Sequence, residues 1–318
     1  MSKISIIIPC FNYGRYLPEA IQSVLEQTYQ DFEIIVVDDG STDLETKRII
    51  AGISHPKIRV ITQENKGLPA TRNTGIREAR GEYIVPLDAD DKLAPTYLEK
   101  CMWMMERNPS LDFVYTAAQT FGDYEYLWFE EYDAKELLKR NFITATALYR
   151  KKDWEKVGGY DESFVAYEDW DFWLRFLKND IFGALLPEPL FLYRKHRPSM
   201  LNEIGEPHRH EIEAAIKELH RELYKQTEHI SSHHFSGVLP SETLSYVTHK
   251  LRKDQDELRD ISVAFQRLKG ESSREIDHVR TELRGKQEEL EHIYTSRGWK
   301  ILSFLHRLRL KVPFLKNL

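Results

Sequence analysis

The chain has 318 residues, 41% of them hydrophobic and 30% charged, with a formal net charge of -6. That length holds one large domain or two smaller ones, and the acidic balance argues against a nucleic-acid partner. A mean hydropathy of -0.53 is low for a wholly compact protein, so part of the chain is expected to be extended and solvated. Cys10 and Cys101 offer no metal or disulfide spacing, which points to a reducing compartment. No segment approaches the roughly 18 uncharged apolar residues of a spanning helix.

Strands and helices alternate through the first half. Ile4 to Ile8 is too short for a signal-peptide core, and Ile4–Pro9 reads as a first strand. Leu17–Gln27 follows with helical spacing of Leu17, Ile21, Val24 and Leu25. Phe32–Val37 is a second apolar strand, closed by Asp38-Asp39-Gly40-Ser41-Thr42-Asp43, a turn and helix-start signal. Thr46–Ser54 is expected to be helical, Ile58–Thr62 a strand, Leu68–Ala79 a helix and Glu82–Leu87 a strand. Continuous apolar strands alternating with helices predict an α/β fold with a mostly parallel sheet flanked by helices on both faces. Beyond it come a helix at Tyr97–Arg107, strands at Asp112–Thr116 and Phe142–Arg150, and a hairpin or edge strand carrying Tyr124, Tyr126 and Trp128. A helix carrying Glu168-Asp169-Trp170-Asp171 and the run Leu190–Tyr193, which precedes Arg194-Lys195-His196, complete this part.

Ligands of such sheets bind beyond the carboxyl ends of the strands. Three polar clusters stand there: Pro9-Cys10-Phe11-Asn12, Asp38 to Asp43, and Asp88-Ala89-Asp90-Asp91. Three carboxylates within four positions repel one another, and a hard divalent cation removes that repulsion. The plainer alternative is that Asp90 or Asp91 caps the helix beginning near Pro95. Asp39 can accept a hydrogen bond from a nucleobase N–H or cap the next helix. Phe11 can offer its ring to the base, and backbone groups of Pro9 to Asn12 can meet base and ribose. Arg72 either reaches a nucleotide or covers the sheet.

Several motifs occur in the order and spacing of family 2 glycosyltransferases. They are Ile6-Ile7-Ile8-Pro9-Cys10-Phe11-Asn12, Val36-Val37-Asp38-Asp39-Gly40-Ser41-Thr42-Asp43, Asn65-Lys66-Gly67-Leu68 with Ala70-Thr71-Arg72-Asn73, Asp88-Ala89-Asp90-Asp91 and Glu168-Asp169. Gly158-Gly159-Tyr160-Asp161-Glu162 and Tyr193-Arg194-Lys195-His196 extend the likeness, which covers about residues 1–200. The resemblance implies a GT-A fold, a nucleotide-diphospho-sugar donor with UDP favoured, Mn²⁺ or Mg²⁺, and inversion at the anomeric carbon. It implies that Asp39 binds the base and that Asp88 meets the ribose or a metal-bound water. Asp90 would hold the metal, with Asp91 a second ligand because some relatives use adjacent aspartates. His196 would reach the metal or the diphosphate. Asp169 would be the catalytic base, with Glu168 orienting acceptor or base. The aromatics around Asp169 would raise its pKa by desolvation. Trp170 and Trp173 either stack on an acceptor sugar or belong to the helix core.

After about Gly205 the composition changes. Val247, Leu251, Leu258, Ile261, Phe265 and Leu268, then Ile276, Val279, Leu283, Leu290 and Ile293, read as two coiled-coil segments with a skip near Gly270. They could pair with a second copy or with a partner enzyme. Thr295 to Leu318 carries six Lys/Arg, no acidic residue and a Trp299, Ile301, Leu302, Phe304, Leu305, Leu308 stripe, which suits an anionic membrane surface. The expected organisation is a transferase domain at 1–204, a helical coiled-coil region at 205–294 and a basic amphipathic tail at 295–318. The expected function is sugar transfer to a glycan or lipid-linked acceptor in cell-surface polysaccharide synthesis, at the cytoplasmic face of the membrane. The alternative is a membrane-associated assembly protein with a degenerate transferase domain. A nucleotidyltransferase is disfavoured, because Pro9-Cys10-Phe11-Asn12 stands where a Gly-rich loop would be needed.

Overall fold

The computed structural model describes residues 2–197, 199, 205–225, 281, 282 and 284–286. The chain divides into two units, Met1–Ser236 and Gly237–Leu318. In the second, the described residues are helical. The rest of the expected coiled coil, and the basic tail, lie outside the described residues.

The first unit begins with β1 (Ile4–Cys10), α1 (Leu17–Leu25), β2 (Phe32–Asp38), α2 (Leu44–Ala51), β3 (Ile58–Thr62), α3 (Leu68–Glu78) and β4 (Tyr83–Pro86). It continues with β5 (Lys92–Leu93), α4 (Tyr97–Arg107), β6 (Phe113–Gly122), β7 (Leu127–Trp128), α5 (Ala134–Leu137), β8 (Ala147–Arg150) and α6 (Lys151–Lys156). It ends with α7 (Glu168–Lys178), β9 (Gly183–Lys195), α8 (Arg209–Leu219) and α9 (Arg221–Lys225).

One sheet runs β3-β2-β1-β4-β8-β6-β9-β5, with β7 added on β6. The pairings β1–β2, β1–β4, β2–β3 and β6–β9 are parallel, and β4–β8, β5–β9, β6–β7 and β6–β8 are antiparallel. The sheet is therefore mixed, where a mostly parallel one was expected. The βα units that enforce parallel pairing stop at β4; beyond it β8 enters antiparallel between β4 and β6, and only β6 and β9 pair in parallel.

Both faces are covered, which explains the uninterrupted apolar runs. Ile4, Ile6 and Ile8 of β1 and Ile34 and Val36 of β2 pack in the core that contains Leu17 and Val24 of α1 and Met102 of α4. Their neighbours Ile7, Ile35 and Val37 enter the opposite core with Ile76 of α3 and the aromatics of α7. Trp170 and Trp173 are both buried there, with Trp173 stacked on Phe113 at 4.9 Å. They are helix core and offer no ring to a sugar.

α3 lies close against the sheet because Gly75 has no side chain: a Cβ there would fall 2.4 Å from Ile7 Cγ2 and 3.1 Å from Val37 Cγ2. Overpacking of this kind costs about 1–3 kcal/mol. Gly75→Ala is expected to lower the unfolding free energy by that much, read by urea unfolding.

The structure extends the first unit past residue 204. Ile216 of α8 and Leu223 of α9 are buried in the α7 core. His220 between them places Nε2 2.8 Å from Asp171 Oδ1. Asp171 also accepts two bonds from Arg175, at 2.9 and 2.7 Å, so its carboxylate serves packing and is not a spare base. Among the described residues, no helix is long and apolar enough to cross a membrane.

Candidate active site

β1, β2 and β4 are parallel, with β4 ending three residues short of the other two, so their C-terminal loops share one edge. The β1 loop presents Phe11, 41% exposed, directly after the buried Pro9 and Cys10. Asn12 adopts φ 58°, and its side chain is committed to the neighbouring loop. Its Oδ1 accepts from the Thr42 and Asp43 N–H groups at 2.7 and 3.1 Å, and its Nδ2 donates to Thr42 Oγ1 at 3.0 Å. The outward-facing part of this loop is therefore Phe11 and backbone, with Asn12 as the clasp that fixes it.

Asp39 is buried one residue beyond β2. Its Oδ1 accepts from Gln63 Nε2 at 2.7 Å and Lys66 N–H at 2.9 Å, and its Oδ2 from Gly67 N–H at 2.9 Å. Helix capping falls to Asp43, whose Oδ1 accepts from Thr46 N–H at 2.7 Å. A carboxylate has about four acceptor positions, so the three bonds orient Asp39 and leave Oδ2 one lone pair. Gln63 is a site residue that the sequence did not reveal.

The acidic run after β4 separates into three roles. Asp88 Oδ1 takes the Arg72 Nη2 donor at 2.7 Å. Asp90 Oδ2 lies 2.9 Å from His196 Nε2. The His196 ring also neighbours Tyr13 and Tyr16, with centroids 5.7 and 5.0 Å away. Asp91 departs from its expected place as a second metal ligand. It is 2% exposed, and its Oδ1 accepts the Arg194 N–H at 2.8 Å, pinning the end of β9. Burial, then the charges of Asp90 and Asp88, hold its carboxyl well above the ordinary range.

Among the described residues, no three His, Cys, Asp or Glu side chains converge as a metal cluster. A cation bound through substrate phosphates and waters needs only one or two protein carboxylates. Asp90 with His196 fits that smaller demand.

Arg72 is the fully buried arginine of α3. It departs from the expected nucleotide contact, because its guanidinium is occupied by Asp88 on one side and Glu168 on the other. The adjacent Asn73 holds the loop before α7: its Nδ2 donates to Tyr160 O at 2.8 Å and Glu162 Oε1 at 2.9 Å, and its Oδ1 accepts the Tyr160 N–H at 2.8 Å. Gly159 in that loop has φ 79°, and a Cβ there would meet Asn73 Oδ1 at 2.8 Å. One turn of α3 thus carries both attachments to the second half of the domain.

α7 opens from Tyr167 at φ 59°, a left-handed residue uncommon for a large side chain. That turn sets Glu168 and Asp169 in the first helical turn, where the N-terminal dipole favours anions. Desolvation, followed by the Glu168 charge, nevertheless raises Asp169 to about 7. Arg72 and a hydrogen bond from the Asn141 side chain oppose that rise. Asn141 had no motif to mark it, since it stands in an irregular segment between α5 and β8.

An α/β domain with acidic residues gathered at the ends of parallel strands, and a near-neutral carboxylate at a helix start, defines a GT-A-like group-transfer domain. Residues 5–167 match the glycosyl transferase family 2 profile, and the chain belongs to that family. It is 34% identical over 181 residues to chondroitin synthase of Escherichia coli, covering 54% of this chain but 26% of that protein. It is 32% identical over 215 residues to an uncharacterized glycosyltransferase of Methanocaldococcus jannaschii, covering 63% of this chain and 74% of the other. Among solved structures, the fold is similar to S. aureus TarS 1-349 in complex with UDP-GlcNAc, with TM-score 0.54 and 20% identity over 64% of this chain and 61% of that one.

Proposed function

We propose that this protein is an inverting glycosyltransferase that moves a sugar from a UDP-sugar to a hydroxyl of a glycan or lipid-linked acceptor in cell-surface polysaccharide synthesis. The observation that carries the reading is the link through Arg72 between Asp88 at the sheet edge and Glu168 beside Asp169. It ties a donor-binding edge to a carboxylate whose pKa of about 7 suits proton abstraction near neutrality. Chondroitin synthase as a relative and UDP-GlcNAc bound to TarS are consistent with this donor class.

In this reading Phe11 covers one face of the base and Asp39 accepts its N–H. Asp169 takes the proton from the acceptor hydroxyl as that oxygen attacks the anomeric carbon. The bond from the anomeric carbon to the diphosphate oxygen breaks, and UDP leaves with the electron pair. A divalent cation held by Asp90 and His196 would neutralise charge on the diphosphate. One base is enough for inversion, unlike the carboxylate pair of a retaining hydrolase. The basic segment 295–318 would hold the enzyme at the inner face of the membrane.

Calorimetric titration with UDP tests the donor site directly. Asp90→Asn, or EDTA with the native chain, is expected to weaken UDP binding by about tenfold or more. Equal affinity with and without EDTA removes the role given to Asp90 and His196. Failure of UDP, dTDP and GDP to bind at all would favour an assembly protein with a degenerate domain.

A further inference from the structure

β9 presents two different faces as it leaves the sheet. Consecutive residues of an extended segment point to opposite sides. Arg194 lies over the Tyr16 ring at 4.8 Å and His196 neighbours the same ring, so these two share the side of Asp90 and α1. Phe191 and Tyr193 stack at 5.8 Å, and Lys195 Nζ lies 3.9 Å from the Tyr193 centroid, so these three share the other side.

That other side has the makings of a second binding surface. Tyr124, 49% exposed, stacks nearly parallel on Tyr126 with centroids 6.3 Å apart. Lys195 Nζ is 5.9 Å from the Tyr126 centroid, so one ammonium lies between two ring systems. No carboxylate comes within ion-pair distance of that ammonium among the described residues. Burial lowers its pKa, opposed from further away by the carboxylates of Asp91 and Glu206. Glu206 approaches the Tyr167 hydroxyl at 3.4 Å, and Tyr167 directly precedes the Glu168-Asp169 pair. Tyr193 and Lys195 of the patch lie on the strand that leads directly into His196, the neighbour of Asp90.

We infer that Tyr124, Tyr126, Tyr193 and Lys195 form an acceptor subsite for a negatively charged glycan. The exposed Tyr124 ring and the half-buried Tyr126 ring stack on the C–H faces of successive sugars, Tyr193 backs the ammonium, and the ammonium binds a carboxylate or a phosphodiester oxygen. Ring faces are electron-rich and favour such contacts, and a lysine is a point charge that meets an anion without demanding bidentate geometry. A neutral acceptor would leave that ammonium facing no ion-pair partner among the described residues. This inference rests on the transferase reading above.

The test is calorimetric binding to the full chain with three probes: a chondroitin hexasaccharide, its carboxyl-reduced counterpart and a glycerol-phosphate hexamer. UDP is titrated in parallel. At least one anionic oligomer is expected to bind about tenfold more tightly than the neutral one. Lys195→Met is expected to erase that preference and Lys195→Arg to keep it. Tyr126→Ala is expected to weaken all three probes, because stacking ignores charge. A preference for either anionic oligomer alone supports the subsite and tells carboxylate from phosphodiester. Absence of any charge preference, or a preference that survives Lys195→Met, overturns it. Lys195→Met weakening UDP as much as the oligomers also overturns it, by assigning the ammonium to the donor diphosphate. Failure of the native chain to bind UDP would instead strike the transferase reading, so the two failures are distinguishable.

Discussion

Replacing Asp169 by asparagine is expected to lower the turnover of sugar transfer by about 10²–10⁴-fold, the usual contribution of a positioned base. UDP affinity should stay close to native, because Asp169 belongs to α7 and not to the strand edge that would take the nucleotide. The native enzyme should show an acidic limb near pH 7, since burial and the Glu168 charge raise Asp169 to about 7 and only its ionised form accepts a proton. Activity therefore falls as pH drops through that value. Stability follows the opposite sense. A carboxyl whose folded pKa is raised contributes stability at low pH and loses it as pH rises through the folded pKa. Asp169→Asn should accordingly melt at a higher temperature than native at pH 8, with the difference narrowing as pH falls and vanishing only below the unfolded pKa of about 4. Near-native turnover by the asparagine variant, or a pH profile with no limb between 6 and 8, would remove Asp169 from the role of base.

The first half of the domain was open to reading because its information is local. β1, β2 and β4 are fully buried, mostly apolar runs whose side chains alternate between two cores, and each is followed by a polar cluster. Asp39, Asp88 and Asp90 followed from those endings. The second half depends on contacts between distant residues. Arg72 and Glu168 are 96 positions apart, and nothing on α3 announces that its arginine is aimed at another carboxylate. Gln63 and Asn141 act through single hydrogen bonds with no spacing pattern. Phe142 to Arg150 reads as one strand by hydrophobicity, yet only Ala147–Arg150 pairs. Thr144 Oγ1 donates to Thr146 O at 3.0 Å, a local bond that competes with the ladder. The short Lys92–Leu93 strand is defined only by β9, which returns beside it a hundred residues later.

These long-range contacts concentrate on one helix turn, so α3 is where the two halves of the site are most exposed to mutation. Arg72→Met should be the most damaging substitution in the domain. Removing one partner of a buried ion pair costs about 3–5 kcal/mol, because the remaining charge is left in a poor dielectric. Here Glu168 is almost wholly enclosed, while Asp88 is 35% exposed and can turn to water, so Glu168 sets the cost. The double variant Arg72→Met, Glu168→Gln should regain much of the lost stability, since it removes the stranded charge along with its partner. Arg72→Lys should rescue poorly, because one ammonium cannot present the two diverging donors of a guanidinium fork. The pH profile supplies a readout that folding alone would not move. The Arg72 charge favours ionised Asp169, so its loss raises that pKa further. Any activity left in Arg72→Met should therefore show its acidic limb displaced to higher pH than native. A variant that keeps native stability, or one whose limb stays in place while turnover falls, would mean that Arg72 neither carries Glu168 nor tunes the base.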